Sequence, residues 1–246
     1  MRQETFSVLQ ALAEKHTGQF LHANKQLLFS GRLTGLAYRT GYDTIDELAR
    51  YIGEFRPGSN LELEVATALL DQRSRFVSER LELVPLFEQV IAPALERTSA
   101  GPYRIWCAGC GSGQEALSLL MMLNNNLPAE SVRRIDLIGT DISEAALMRA
   151  NKGQYSHFDV QVGLSAHNLV RYFTQVSEQR WQVSPALSRQ VQFQTHNLLS
   201  SEDAHGHFDL ILCRHVLGGM TPEHRQHAEQ LLHRHLNPDG CLHIIE

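Results

Sequence analysis

The sequence predicts an α/β fold, a doubly wound Rossmann-like sheet preceded by a small all-helical domain, and three observations carry that prediction. A glycine-rich turn, Ala108-Gly109-Cys110-Gly111-Ser112-Gly113, separates an apolar run from a helical pattern. Further strand-like runs recur at residues 135–141, 191–195 and 208–213, alternating with helix signals and ending in or leading into polar residues. The first 75 residues instead show only the 3.6-residue periodicity of short amphipathic helices.

In the N-terminal region one helix face is read from Phe6, Leu9, Leu12 and Ala13, a second from Leu27, Leu28, Leu33, Leu36 and Ala37, and a third from Ile45, Leu48 and Ile52. Gly41-Tyr42-Asp43-Thr44 is a turn, with Asp43 or Thr44 capping the third helix. Arg56-Pro57-Gly58-Ser59-Asn60 breaks the pattern again. Residues 76–97 connect to the sheet region and are expected to pack on it, Pro85 and Pro93 marking helix starts or kinks. The boundaries expected are therefore a helical domain over 1–75, a linker helix over 76–100 and a sheet domain over 101–246.

Within the sheet domain, residues 105–118 form a strand, a tight turn and a helix start. Glycines there let the backbone approach a bound nucleotide closely, since a missing Cβ opens both φ space and room. The spacing is Gly-x-Gly-x-Gly, which fits neither the dinucleotide fingerprint nor a phosphate-binding P-loop. The next strand ends at Asp141, where a carboxylate can accept hydrogen bonds from both ribose hydroxyls, and Ser143 is placed to cap the succeeding helix. Residues 191–195 lead into His196-Asn197-Leu198, and 208–213 into Arg214-His215-Val216. A fifth strand is expected after the turn Asn237-Pro238-Asp239-Gly240.

Composition narrows the class. With 246 residues, 43% of them hydrophobic, the chain can bury one α/β core and a small companion. A net charge of −5 without a basic run argues against nucleic acid as partner. The polar opening Met1-Arg2-Gln3-Glu4-Thr5 and the absence of a long apolar run predict neither signal peptide nor membrane insertion, so a cytoplasmic location is expected. Cys107, Cys110, Cys213 and Cys241 lack zinc-site spacing and read as buried thiols, with no metal expected. His224, His227, His233 and His235 read as surface histidines of one helix, because only the first two share a face. Lys25, Arg32, Arg39 and Arg50 read as a solvated charged face.

The motifs taken together, Ala-Gly-Cys-Gly-Ser-Gly-Gln-Glu at 108–115, Gly-Thr-Asp-Ile-Ser at 139–143, Asn-Leu-Leu at 197–199, Phe-Asp-Leu-Ile-Leu-Cys-Arg at 208–214 and Leu-Asn-Pro-Asp-Gly at 236–240, resemble the chemotaxis-receptor glutamate methyltransferases of the CheR type. Gly153, Tyr155 and Arg171-Tyr172-Phe173 fall where that family has landmarks, and the similarity reaches Lys25, Leu28, Arg32-Leu33 and Gly41. The resemblance implies a methyltransferase sheet binding S-adenosylmethionine, with S-adenosylhomocysteine as product. It implies that Ala108, Gly109, Gly111 and Gly113 underlie the methionine and ribose, that Glu115 meets the ammonium, that Asp141 holds the ribose and that Ile142 packs on adenine. Asn197 would reach the adenine edge and Leu198 would cover it, with Arg214 and His215 completing the cofactor set. The partner it implies is an acidic helical receptor or another signalling protein, met in part by basic positions of the helical domain.

The departures from the family pattern are local. Relatives carry Thr/Ser-x-Phe-Phe-Arg before the cofactor domain, and the arginine is thought to orient the acceptor. Here Ser74 and Phe76 fit, but Val77 replaces the second phenylalanine, Ser78 the arginine and Gln72 an upstream asparagine. Arg73, Arg75 and Arg80 lie nearby, so Arg75, Ser78 and His215 are the residues on which catalysis is expected to turn. His215 replaces an asparagine, and a tyrosine that relatives carry just beyond it is missing. The chain stops at Glu246 where relatives continue into a hairpin, leaving a sheet edge expected to need covering, for example in a homo-oligomer. Two functions stay open: an active glutamate methyltransferase, or a catalytically impaired sensor or scaffold that keeps the cofactor pocket.

Overall fold

The computed structural model describes residues 1–55, 59–70, 74–78, 82–97, 101–200 and 206–246. The chain forms two compact units. The smaller contains Met1–Asp71, Asn197–Ser201 and His215–Leu231, and the larger contains Gln72–His196, Glu202–Arg214 and Leu232–Glu246. The sequence-derived boundaries at 75 and 100 differ from this division. The sequence also offered no sign that two segments from the second half of the chain join the N-terminal unit.

The smaller unit is built on α1 (Gln3–Thr17), α2 (Gln26–Arg39), α3 (Ile45–Phe55) and α4 (Asn60–Leu69). Its core takes Phe6, Leu9, Leu12 and Ala13 from α1, Leu48 and Ile52 from α3, and Val65 and Leu69 from α4. On α2 the expected face needs correcting, because Leu27 and Leu28 are 87% and 49% exposed while Phe29 is buried. Helical spacing explains it: the row through Leu33, Leu36 and Ala37 continues to position 29, one turn below Leu33, and not to 27 or 28. Thr44 is the residue that caps α3, its Oγ1 accepting from the Glu47 N–H at 3.1 Å, while the Glu47 carboxylate accepts from the Asp43 N–H at 3.2 Å. Ser59 caps α4 in the same way, accepting from the Glu62 N–H.

Two charged groups of this unit serve the fold. The Arg32 guanidinium donates to the carbonyls of Leu69 and Leu70 at 2.9 and 2.7 Å, closing the carboxyl end of α4, so it is not part of a solvated face. Lys25, Arg39 and Arg50 are exposed. Buried Glu62 is met by Lys15 Nζ at 2.8 Å and His16 Nε2 at 2.9 Å, which supplies the counter-charge a buried carboxylate requires.

The main sheet of the larger unit has five strands, β1 (Tyr103–Ala108), β2 (Ile135–Asp141), β6 (Val191–Thr195), β7 (Phe208–Arg214) and β8 (Leu236–Ile245). They are all parallel and lie in the order β6-β2-β1-β7-β8. The central strands read as nearly continuous apolar runs because helices cover both faces of a parallel sheet. From β1 the chain proceeds to one side through β2 and β6, and β7 returns to the other side of β1. The topological switch therefore lies between β1 and β7, and ligands of such sheets bind at the carboxyl ends of these strands. The fifth strand begins earlier than expected: Leu236 already pairs with Phe208, and the register then shifts to Leu210 opposite Cys241, so the Asn237–Gly240 turn becomes a bulge within β8.

The remaining strands, β3 (Gln154–Ser156), β4 (Phe173–Ser177) and β5 (Arg180–Val183), form a second, antiparallel sheet in the order β3-β5-β4. They are short and polar, with no sustained alternation to announce them. The Gly-x-Tyr and Arg-Tyr-Phe landmarks are the anchors of this sheet. Tyr155 and Phe173 pack edge-on against Phe76, ring centroids 5.0 and 5.6 Å away. Arg171 and the Tyr172 hydroxyl each donate to Asn125 Oδ1 at 2.9 Å. The connecting segment is buried and extended at Phe76 and Val77, then helical from Val84 to Arg97, with a wider π turn at Phe87–Ile91, one residue short of Pro93. Proline lacks the N–H of a regular helical bond, a recognised cause of such a turn.

The histidine group also departs from expectation. His227 and His233 are exposed, but His235 is buried, its ring 5.4 Å from that of Trp106 and its Nδ1 2.7 Å from the Gly206 carbonyl. It comes after the last helical turn and points into the sheet's flank, so helix spacing does not describe it. Cys107, Cys110 and Cys213 are buried and Cys241 is half-buried. Among the described residues, no helix is long and apolar enough to cross a membrane.

Candidate functional site

The site in the larger unit starts from the turn leaving β1. Gly109, Gly111 and Gly113 have φ of 74°, 54° and 84°, a left-handed region that costs a residue with a Cβ about 1–2 kcal/mol. The N–H groups of Gly109 and Cys110 both donate to the Thr140 carbonyl at 2.8 Å, which ties the turn to the end of β2. Asp141 joins three pieces: its Oδ2 accepts from the Gly111 N–H and its Oδ1 from the Ser143 N–H, each at 2.8 Å. Ser143 in turn caps the helix Glu144–Lys152, accepting from the Ala146 N–H at 3.3 Å. Burial raises the Asp141 carboxyl above its ordinary range, and the backbone donors only partly offset it.

The segment at 74–78 lies over this turn. Ser74 Oγ accepts from the Ser112 N–H at 3.2 Å, and the Ser74 carbonyl accepts from Gln114 Nε2 at 3.4 Å. The Val77 N–H donates to Ser118 Oγ at 3.0 Å, and the Tyr155 hydroxyl holds the Ser112 carbonyl at 2.8 Å. Gly111 is required here twice over, since a Cβ would overlap Ser74 Oγ. Ser74, which fits the family pattern, thus supports the turn.

At the end of β7 stands a chain of alternating charges. The Arg214 side chain is 5% exposed, its Nη2 bonded to the Glu82 carboxylate and its Nε 3.4 Å from Glu115 Oε2. Arg75 Nη2 lies 3.4 Å from the other Glu82 oxygen. Among the described residues, buried Arg214 Nε finds no hydrogen-bond partner of good geometry. Burial pushes the Glu115 carboxyl up to about 7 against the opposing pull of Arg214. Burial acts in the same direction on Glu82, but the bond and charge of Arg214 and the charge of Arg75 outweigh it and leave that carboxyl below the usual range. Nothing in the sequence marked Glu82, which is one of several glutamates in the connecting segment.

The other residues named from the sequence fall into three groups. Ala108 is buried at the end of β1, Ile142 is half-buried, and the Ser78 carbonyl accepts from the Glu82 N–H at 3.0 Å. Gln72, Arg73 and Arg80 lie outside the described residues. Asn197, Leu198 and His215 belong to the smaller unit. There the Asn197 amide donates to the His16 carbonyl and accepts from the Leu199 N–H, both at 2.9 Å, and Leu198 is buried. His215 is exposed with φ of 56°, a conformation in which asparagine and histidine are enriched among non-glycine residues. The exchange of the family's asparagine for histidine therefore keeps the backbone while changing the side chain.

A raised Glu115 carboxyl has a measurable consequence. The folded chain binds this proton more tightly than the unfolded one, so its contribution to stability is fully present below pH ~4.5 and is lost as pH rises to about 7. The loss should amount to about 3 kcal/mol. Urea unfolding between pH 5 and 8 should show this decline in wild type and a flatter profile in Glu115→Gln.

The sheet order, the glycine turn at its switch point and the acid closing β2 define the Rossmann-like class of methyltransferase folds. Residues 72–244 match the family described as CheR methyltransferase, SAM binding domain. The chain is 31% identical over 243 residues to chemotaxis protein methyltransferase 1 of Pseudomonas aeruginosa and 30% identical to chemotaxis protein methyltransferase Cher2 of Pseudomonas putida, covering in both cases 97% of this chain and 88% of the relative. It is 28% identical over 233 residues to the chemotaxis protein methyltransferase of Listeria monocytogenes, covering 95% of this chain and 85% of that one. Among solved structures, a TehB-like SAM-dependent methyltransferase from Corynebacterium glutamicum aligns at 17% identity with a TM-score of 0.36, over 67% of this chain and 68% of that one. The chain belongs to the CheR methyltransferase family and carries its S-adenosylmethionine-binding domain.

Proposed function

We propose that this chain is an S-adenosylmethionine-dependent methyltransferase acting on glutamate carboxylates of a chemotaxis receptor. The observation that carries the reading is the convergence of the Gly109–Gly113 turn, Asp141, Glu115 and Arg214 at the carboxyl ends of β1, β2 and β7. These residues fit the cofactor. Glu115 and Arg214, 3.4 Å apart, offer the anion and cation that an α-amino-acid zwitterion requires, and Arg214 Nε is a buried donor without a hydrogen bond among the described residues. The left-handed glycines leave the backbone bare beneath them.

When bound, S-adenosylmethionine supplies a methyl group on a positively charged sulfur. Asp141, already ordered by the Gly111 and Ser143 N–H donors, would accept from the ribose hydroxyls, and Ile142 would lie against the adenine. Glu115 would neutralise the ammonium. An ionised glutamate is nucleophilic without a general base, so the protein's task is to align it and exclude water. Arg75, half-exposed and beside Glu82, is the cation available to steer the acceptor where the family's arginine is Ser78. These assignments rest on the larger unit. Asn197, Leu198 and His215, which the resemblance adds, stand in the smaller one. The partner is an acidic helical receptor, supported by the names of the relatives and by exposed Lys25, Arg39 and Arg50, and the protein works in the cytoplasm.

The replacement of that arginine by Ser78 favours a second reading, a cofactor-binding sensor or scaffold without transfer. Calorimetry with S-adenosylmethionine and S-adenosylhomocysteine, and then methyl-label transfer to a receptor cytoplasmic domain, separates the two. Binding with transfer is expected. Binding without transfer establishes the sensor, and absence of binding overturns both.

A further inference from the structure

We propose that Glu82 competes with the carboxylate of the bound amino-acid portion of the cofactor for Arg214, so that this chain holds ligands carrying that amino acid more loosely than its pocket allows. The inference rests on the cofactor reading and concerns a residue outside that machinery. Arg214 is the buried cation at the switch point of the sheet, and it faces two acids. One, Glu115, comes from the first turn of the helix after the glycine loop, where the ligand's ammonium is expected. The other, Glu82, comes from the connecting segment and takes the Nη2 edge of the guanidinium. An ammonium and a carboxylate on one carbon lie side by side. A ligand that places the former on Glu115 must therefore direct the latter to Arg214, and the group already there is Glu82.

The site is arranged to keep Glu82 charged and in place. Arg75 flanks its second oxygen at 3.4 Å, and its N–H is held by the Ser78 carbonyl at 3.0 Å. The titratable groups facing it are Arg75, Arg214 and, through Arg214, Glu115. A charge-assisted bond to a nearly buried guanidinium is strong, and a ligand carboxylate must displace it or share the donor. The nucleoside half of the ligand, met by Asp141 and Ile142, makes no demand on Arg214. The competition therefore acts on ligands that carry the amino acid and spares those that lack it.

Calorimetry on the full chain with S-adenosylhomocysteine and with 5′-methylthioadenosine, the same nucleoside without the amino acid, tests this. Glu82→Gln, which keeps the side chain's size, and Glu82→Ala should each tighten S-adenosylhomocysteine roughly five- to tenfold and leave methylthioadenosine within about twofold. The second ligand also reports that each variant is folded. If Glu82→Gln binds methylthioadenosine normally but S-adenosylhomocysteine no better, or more weakly, Glu82 positions Arg214 instead and the proposal is wrong. Failure of every form, wild type included, to bind either ligand overturns the cofactor reading and this inference with it.

Discussion

Asp141→Ala should weaken S-adenosylhomocysteine binding by about 1–3 kcal/mol, roughly five- to more than a hundredfold in Kd. The lost interaction is a pair of charge-assisted hydrogen bonds to the ribose in a buried setting. The same carboxylate anchors the Gly111 and Ser143 N–H groups, so its removal also frees the glycine turn from the start of the next helix. Asp141→Asn separates the two contributions. Its carbonyl oxygen can still accept one backbone bond while the charge is gone, so the melting temperature should recover more than the affinity does. Wild-type affinity in a folded Asp141→Ala protein would exclude Asp141 as the ribose residue.

The second large effect concerns the acceptor. Arg75→Ala should lower methyl transfer to a receptor domain by about a hundredfold, the scale on which lost alignment of two reacting groups is felt. Affinity for S-adenosylhomocysteine should not fall, because Arg75 reaches Arg214 only through Glu82 and its loss would at most loosen that competitor. Wild type itself should turn over slowly beside relatives that keep the arginine, since the Ser78 hydroxyl carries no charge to orient a carboxylate. Ser78→Arg should raise the rate, with His215 and the missing tyrosine limiting the recovery. Rapid wild-type transfer that ignores alanine at 75 would remove Arg75 from the mechanism.

How much of the fold and site could be read from the chain depends on the range of each signal. The glycine turn, the cap at Ser143 and the central strands are local features. Left-handed φ, a hydroxyl before a helix and a two-sided apolar run each leave a mark within a few residues. The antiparallel sheet left little trace because its strands are three to five residues long and mostly polar. On α2 the leucines at 27 and 28 mimic a buried face, whereas the helical row selects Phe29. The burial of His235 leaves no local mark, because it depends on Trp106, far away in the sequence. Glu82 is the clearest case. Its partners Arg75 and Arg214 are brought to it by the fold, and no spacing rule connects a connecting-segment glutamate with the end of β7.

The double attachment of the turn to the Thr140 carbonyl carries a thermodynamic consequence for recognition. Because Gly109 and Cys110 are bonded to the end of β2, and Gly111 to the carboxylate of the next residue, loosening the turn means fraying the middle of the sheet. The entropy of shaping the cradle is therefore lost when the chain folds rather than when a ligand arrives. Association then resembles docking onto a rigid template, and differences in affinity between nucleosides arise from how long each one stays rather than from how fast it enters.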